Sequence, residues 1–315
     1  MALPSSGTIS IEDIVAEFGG TAPNSLSEYY GVAAGVPSSG AISLDDFYGT
    51  TSAIPISASG GSVSTGGGYR YHRFTTGSGT FTVNSIAQGS YSNTLEVFLV
   101  GAGAGSRAFG TGSGGGGQAV IRTVAASVGN KTVTVGAGGF YSQSQSGGYG
   151  NPGGSSSFSG VSSAAGGQGG GNRYAANGAH GGGRSGSDKV GGYGTNNPDG
   201  WNTGVGGSAT TTGANGTGLS APLNGTNGYT LSGWTTSTSR TQYGGTGGGS
   251  MRYYPSILMR GGAGKFGGGA GPTSEISNGG TFDGAANSGG SGGAGALQGG
   301  GGSGGSGIVI IRYQV

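Results

Sequence analysis

The density of glycine between residues 101 and 307 limits what this chain can fold into. One residue in three is glycine there, and the chain then ends in the apolar segment GIVIIRYQV, residues 307–315. Hydrophobic stabilisation scales with buried apolar area, so a region with so few side chains cannot build a core alone. The region lacks a strict Gly-X-Y repeat and the whole chain has only 9 prolines, which excludes a collagen triple helix.

Two interpretations of the glycine-rich insert, residues 140–306, remain. A flexible Gly/Ser linker is the first, but the aromatic side chains scattered through the insert and its low charge are unusual for disordered chain. The second is a set of polyglycine II-type helices, which have three residues per turn and no internal hydrogen bonds. Their N–H and C=O groups point sideways and must find partners on neighbouring helices. We favour this ordered form, although ordering glycine costs much conformational entropy.

Five segments before the insert have the alternating or apolar pattern of β-strands: residues 69–76, 79–86, 94–103, 118–127 and 131–139. Residues 51–68 are rich in Ser, Thr and Gly and are predicted to be a linker or loop. We predict no further strand until residues 307–315, which have no local partner. That last strand is expected to pair with the early strands, so deleting Ile308–Val315 should cost the domain its fold. The predicted fold class is mainly β, a sheet or sandwich scaffold closed by the C-terminal strand.

A duplicated module precedes the strands. Residues 4–14 (PSSGTISIEDI) and 37–47 (PSSGAISLDDF) are offset by 33 residues and share seven identities. Three Ser-x-x-acid patterns, at Ser10, Ser25 and Ser43, predict three short helices whose serine hydroxyls and carboxylates cap the first turn. About 50 residues bury little core, so the module is expected to dock on a partner.

The composition excludes several functional classes. Charged residues make up 8% of the chain, the net charge is +2 without a basic run, and there is no cysteine. Nucleic-acid binding, disulfides and thiol chemistry are therefore not expected. The N-terminus lacks the pattern of a signal peptide and no apolar run is long enough for a membrane span, so we expect a soluble protein made in a cytoplasm. His72 and His180 are distant in sequence and are expected at a strand surface or in a loop. We expect no enzyme, catalytic residue, metal or cofactor.

The interruptions of the glycine pattern are the candidate binding segments. They mix aromatic rings with Asn, Thr, Ser and Arg, a mixture suited to sugar faces or protein surfaces. The rings could instead pack the edges of the glycine layers. The best contact candidates are Trp201, Trp234, Tyr253 and Tyr254.

Three resemblances to phage proteins indicate a class of function. The motifs GTISIEDI, EFGG and NSLSEYYG within the first fifty residues resemble a small module at the start of many predicted bacteriophage virion proteins. The motifs YRYHRFTTGSGTFTV, LEVFLVGAGAGS, GGGGQAVIRTV and KTVTVGAGG, with the ending GGGGSGGSGIVIIRY, resemble the glycine-rich domain of phage tail-fibre proteins. The insert is similar to that of the fibre-tip adhesins of T-even-like phages. That resemblance implies stacked glycine helices whose connecting loops touch the host receptor.

The resulting expectation is a phage virion structural protein, a tail fibre or fibre-tip adhesin. Residues 1–53 would attach it to other virion proteins, 54–139 would form the linker and β scaffold, 140–306 the glycine-rich insert, and 307–315 the closing strand. Loops would contact a glycan or outer-membrane protein of the host, and a homo-oligomer, for instance a trimer, suits a fibre. The alternative is a non-receptor decoration or structural protein of capsid, neck or tail. An ice-binding role is disfavoured by the bulky segments between the glycine runs.

Overall fold

Two antiparallel β-sheets form the scaffold of the protein in a computed structural model. The structure describes residues 3–33, 35–88, 91–107, 113–142, 149–170, 207–208, 211–212, 228–234, 240–245, 247, 250–253, 258–261, 264, 266–270, 282–294 and 300–315. The fold is mainly β, with 31% strand and 8% helix. Its helices are α1 (Ile11–Phe18) and two 3₁₀ helices, Leu26–Tyr29 and Leu44–Phe47. Its strands are β1 (Ser57–Ser59), β2 (Ser62–Gly66), β3 (Tyr69–Phe74), β4 (Ser78–Ser85), β5 (Thr94–Val100), β6 (Ala119–Ala125), β7 (Gly129–Thr134), β8 (Ser157–Phe158), β9 (Gly207–Ser208), β10 (Thr211–Thr212), β11 (Tyr229–Thr230), β12 (Gln242–Tyr243), β13 (Ser250–Tyr253), β14 (Leu258–Gly261) and β15 (Ile308–Gln314).

The C-terminal strand β15 lies at the centre of the larger sheet. That sheet has five strands in the order β2-β3-β15-β5-β6, and the second has four in the order β1-β4-β7-β8. Strand β15 pairs antiparallel with β3 and with β5, so that Ile310 lies opposite Arg73 on one side and Phe98 on the other. The prediction that the last strand returns to the early strands is confirmed.

Both faces of the five-stranded sheet are covered. One face packs against the four-stranded sheet, and the core between them includes Leu99 and Ile311 from the larger sheet and Phe81 and Val133 from the smaller. The opposite face contributes a second buried cluster that includes Phe98 and Ile310, which is covered by side chains of the β11–β12 hairpin. A strand buried on both faces needs a nearly continuous apolar sequence, which explains why residues 97–100 read VFLV.

Two predictions about strands were wrong. The predicted linker 51–68 contains β1 and β2, which pair with β4 and β3 at the edges of the two sheets. The insert also contains the short strands β8 to β14, where none was predicted. An edge strand needs backbone hydrogen bonds on one side only and can leave its side chains in water. Ser/Thr/Gly-rich chain can therefore pair there without the apolar pattern that identifies a buried strand.

The expectation that His72 lies at a strand surface was also wrong, while His180 lies outside the described residues. His72 is fully buried between the sheets, with its ring 5.0 Å from that of Phe81 and 5.6 Å from that of Tyr313. Nδ1 donates to the carbonyl of Gly60 (2.7 Å), and Nε2 accepts from the Tyr313 hydroxyl (3.1 Å). Both ring nitrogens are thus satisfied in the neutral imidazole, a pairing that alternation along β3 alone does not reveal.

This buried histidine predicts acid sensitivity. Burial, aided by the nearby charge of Arg70, lowers the pKa of His72 below its ordinary value of 6.5. Between the folded and the unfolded pKa of His72, the imidazole is protonated in the unfolded chain but neutral in the folded chain. The free energy of unfolding therefore falls as pH drops below about 6.5 towards the folded pKa. Urea unfolding measured from pH 8 to 5 should show that the free energy of unfolding falls below pH 6.5 by up to about 1.4 kcal/mol per pH unit. His72→Asn, less stable overall, should lose that dependence; an unchanged slope would contradict this assignment.

The N-terminal module has its own small core. Its buried side chains include Ile14 of α1, Tyr29 and Phe47. Helix α1 begins with the predicted capping box, in which the Asp13 N–H donates to Ser10 Oγ (3.2 Å) and the Ser10 N–H donates to the Asp13 carboxylate (2.9 Å). The other two predicted helices form single 3₁₀ turns. The duplication is structural as well, because tyrosine hydroxyls bond the equivalent carbonyls of both copies, Tyr48 to Gly7 and Tyr30 to Gly40.

Candidate functional site

Residues 101–106 leave β5 and continue as a glycine helix with three residues per turn. Every third N–H of this segment donates to the same neighbouring segment, at 2.8–3.0 Å. The donor–acceptor pairs are Gly101–Gln118 and Ala104–Gly115, then Ala102–Gly154 and Gly105–Asn151, then Gly103–Gly305 and Ser106–Gly302. Threefold repetition of the hydrogen-bond direction is the property of polyglycine II-type helices. It confirms the ordered interpretation for the parts of the insert that bond to this segment, residues 151–154 and 302–305.

Three further segments donate to the carbonyls of residues 101–106, from the N–H groups of Gly139, Gly167 and Gly292 among others. Six segments therefore surround the central one: residues 113–118, 136–142, 150–156, 164–170, 288–294 and 300–307. Residues 243–247, 266–270 and 282–285 extend the array by bonding to 288–294. We call all of these segments the glycine lattice. Its backbone groups bond across segments, which meets the demand that buried N–H and C=O groups be paired.

The lattice has two different ends. At the inner end its segments run into the sheets, as residues 101–106, 136–142 and 300–307 join β5, β7 and β15. At the outer end, away from the sheets, the described parts of neighbouring segments stop at residues 107 and 113 and at residues 142 and 149. Residues 108–112, 143–148 and 295–299 lie outside the described residues. Phe140 and Tyr149, on paired segments near this end, are 71% and 65% exposed. Large aromatic rings that stay exposed near one end of a hydrogen-bonded array make the outer end the candidate binding site.

Two of the four predicted contact residues, Trp234 and Tyr253, lie among the described residues. Trp234 lies on the five-stranded sheet at the inner end, half-buried, with its ring 6.1 Å from Tyr71 and 6.0 Å from Phe98. Tyr253 ends strand β13, in the β13–β14 hairpin that follows the outward-running segment 243–247. Trp201 and Tyr254 lie outside the described residues. The sequence predicts the interruptions of the glycine pattern as candidate binding segments but does not single out Phe140 or Tyr149. Their only sequence signal is their position beside glycine runs.

An arginine not predicted from sequence fixes Trp234 in place. The guanidinium of Arg312 lies between the rings of Tyr69 (4.3 Å) and Trp234 (4.2 Å). It also pairs with the Glu96 carboxylate (2.7 Å) and donates to the carbonyl of Gly233 (2.7 Å). A planar guanidinium is well suited to stacking on aromatic rings while it donates hydrogen bonds in its own plane. This arrangement links the chain around Trp234 to β15 and therefore favours a packing role for that ring.

Across the described ranges, no helix is long and apolar enough to cross a membrane. In the same ranges, no group of three His, Asp or Glu side chains is arranged to hold a metal ion.

These features define a class of mainly β protein in which two sheets support a lattice of glycine helices. Residues 75–314 match the family model of the glycine-rich domain, and the chain therefore belongs to that family. A comparison with curated proteins gives no match.

Proposed function

We propose that the chain is a bacteriophage virion structural protein, a tail fibre or fibre-tip adhesin that contacts the host cell surface. The observation that supports this most is the polarity of the glycine lattice. Sheets lie at its inner end, while the exposed rings of Phe140 and Tyr149 lie towards its outer end. A rigid support that presents aromatic side chains at one end is suited to recognition.

The N-terminal module is the proposed attachment unit. Residues 1–53 have a hydrophobic core of their own. Other virion proteins could therefore bind the surface of this module without disturbing the glycine lattice. The protein is made in the cytoplasm of the bacterial host and becomes part of the tail or fibre. A homo-oligomer such as a trimer would place several outer ends side by side and raise avidity for a repeated receptor.

The proposed receptor is a glycan or an outer-membrane protein of the host. Trp201, Tyr253 and Tyr254 remain candidate contacts, and Phe140 and Tyr149 join them. Aromatic side chains dominate the energetics of many binding surfaces because they bury large areas with few rotatable bonds. Trp234 is the weakest of the candidates, since replacing it would also disturb the packing against Tyr71 and Phe98.

The test is competition for adsorption. Purified full-length protein should bind host cells and block adsorption of the phage. The double variant Phe140→Ser, Tyr149→Ser should need at least about tenfold more protein for the same block, as expected for loss of two aromatic contacts. Val128→Ser is the matched control, because Val128 is 64% exposed in the turn between β6 and β7, at the sheet end. It should block as the native protein does.

Two results would contradict the receptor role. In one, the native protein fails to bind cells at any concentration. In the other, particles lacking the protein adsorb normally but assemble or survive poorly, which is the behaviour of a decoration or structural protein of capsid, neck or tail. Labelling the chain on intact particles would show its position on the virion.

A further inference from the structure

Strand β2 is an open edge of the five-stranded sheet. The sheet has the order β2-β3-β15-β5-β6, so within the described ranges β2 and β6 each pair with one neighbour. Ser62, Val63 and Thr65 of β2 are exposed, Val63 at 55%. An edge strand presents backbone N–H and C=O groups that can pair with a strand of another chain.

The turn between β2 and β3 determines which groups of β2 face outwards. Its residues 67 and 68 have φ values of 60° and 76°, as in a type I′ turn, so the flanking Gly66 and Tyr69 form a hydrogen-bonded pair. Hydrogen-bonded pairs alternate along an antiparallel ladder, so Ser64 also bonds to β3. The N–H and C=O groups of Val63 and Thr65 therefore point away from β3. No group in the part of the chain that the structure describes bonds to them.

The two edges of this sheet differ in their protection. Strand β6 contains Arg122, whose guanidinium donates to the Ile121 carbonyl (3.1 Å) and to Ser162 Oγ (3.0 Å). A charged side chain on an edge strand is a common device against pairing with another edge. Strand β2 has the sequence SVSTG, without charge or proline, and pairs with β3 in an unbroken register. The β2 edge therefore lacks the features that usually block pairing.

The outward groups of β2 are complementary to those of a second, antiparallel copy. With a two-fold axis at Ser64, Val63 lies opposite the second copy's Thr65, and Thr65 lies opposite its Val63. In each of these two pairs both N–H groups donate to the opposite C=O, so all outward groups of both copies are used. The exposed Val63 side chain also gains a β-branched neighbour on its own face.

Charge does not oppose this contact. The charged residues beside β2 in the sheet are Arg70 and Arg73 of β3, opposite Thr65 and Ser62. Across the pair, the two β3 backbones would be three strand spacings apart, roughly 14 Å. That separation exceeds the Debye length of about 8 Å at physiological salt, so repulsion between the copies is largely screened.

We propose that β2 is an interface between two copies of this chain, which join their five-stranded sheets edge to edge into one ten-stranded sheet. The contact uses the same surface of both copies and therefore closes as a dimer. This inference goes beyond the proposed function, which leaves open the surface that joins copies. It depends on neither a receptor nor another virion protein.

The test measures self-association of the full-length protein. A contact of five residues per copy is small, so sedimentation velocity should show dimers with a Kd between about 0.1 and 1 mM. By mass action, the amide protons of Val63 and Thr65 should exchange about twofold to fivefold more slowly at about 1 mM protein than at about 10 µM. The Ser64 amide, which bonds to β3, should exchange equally slowly at both concentrations.

Charge variants identify the strand that pairs. Val63→Lys with Thr65→Lys, and Val63→Glu with Thr65→Glu, should each dimerise at least about tenfold more weakly, because like charges face each other. An equimolar mixture of these two double variants should associate at least as tightly as the native protein. Val128→Lys is the matched control, since Val128 is 64% exposed in the turn between β6 and β7, and it should dimerise as the native protein does.

A backbone variant tests the hydrogen bonds without adding charge. Thr65→Pro removes an outward N–H that β3 does not use, and should weaken dimerisation at least about tenfold. Unchanged exchange of the Ser64 amide verifies that β2 still pairs with β3 in each variant.

The inference is overturned if the native protein stays monomeric at about 1 mM, well above the expected Kd. It is also overturned if the lysine and glutamate variants dimerise like the native protein, or if their mixture fails to associate. The adsorption experiment tests the proposed function separately, with variants at the outer end of the lattice. A protein that blocks adsorption as a monomer would refute the β2 interface alone, and a dimer that does not block adsorption would refute the adhesin role alone.

Discussion

A chain that ends at Gly307 is expected to lose the fold of its whole glycine-rich domain. The eight missing residues include Ile308, Val309, Ile310, Ile311 and Tyr313, each at most 1% exposed in the centre of the five-stranded sheet. Burial of each is worth about 1.5–3 kcal/mol, so their sum is of the same size as the net stability of a typical domain, about 5–15 kcal/mol. Strands β3 and β5 would also lose their shared partner. Urea unfolding followed by tryptophan fluorescence should show no cooperative transition, because both tryptophans lie in this domain.

A pair of point variants tests whether burial of β15, rather than the mere loss of eight residues, causes the expected unfolding. Ile310 and Gln314 lie on the same face of β15, but Ile310 is fully buried and Gln314 is exposed. Ile310→Asp should cost several kcal/mol, since it places a carboxylate without partners in the core, whereas Gln314→Asp should cost less than about 1 kcal/mol. A chain ending at Tyr313 should likewise stay folded. A cooperative transition in the chain ending at Gly307 would show that β15 is dispensable.

The return of the last strand could be predicted because hydrophobicity alone requires it. Four consecutive aliphatic residues, Ile308–Ile311, cannot remain in water, and no apolar strand lies near them in sequence. The five early strands follow from the same patterns. The structure shortens four of them by two or three residues and shifts 79–86 to Ser78–Ser85 without shortening it. The 94–103 strand ends at Val100 because the following GAGAGS continues as a glycine helix, whose residues bond to several neighbours rather than one.

The order of segments in the lattice could not be predicted. Side chains normally specify which segments meet, through size, polarity and spacing, and glycine has none of these. Nothing in the sequence of residues 101–106 indicates that they bond to residues 151–154 or 302–305. The packing of Trp234 could not be predicted either, because it depends on a contact with Arg312, a residue 78 positions further along the chain. The candidate site therefore emerges only from the fold, although the segment that contains Phe140 was recognisable as an interruption of the glycine pattern.

Glycine is required in the lattice because neighbouring backbones occupy the space of a side chain. The effect differs sharply between adjacent residues of the segment 150–156. A Cβ atom at Gly153 would overlap the carbonyl group of Ala102, with the carbonyl carbon 2.6 Å away. A Cβ atom at Gly154 would come no closer than 3.0 Å to any atom, the nearest being the Ala137 N. Both residues donate one backbone hydrogen bond of 2.8 Å to a neighbouring segment, so the pair differs mainly in this available space.

The two alanine variants should therefore separate steric fit from hydrogen bonding. Gly153→Ala should lower the free energy of unfolding by about 1–3 kcal/mol or more, because two bonded segments must move apart. Gly154→Ala should stay within about 1 kcal/mol of the native protein, since a shift of a few tenths of an ångström is offset by the lower entropy of the unfolded chain. Urea unfolding of both variants under identical conditions measures the difference. Equal stability of the two variants would mean that residue 153 does not pack closely against residue 102. The segments of the lattice would then lie further apart than the structure shows.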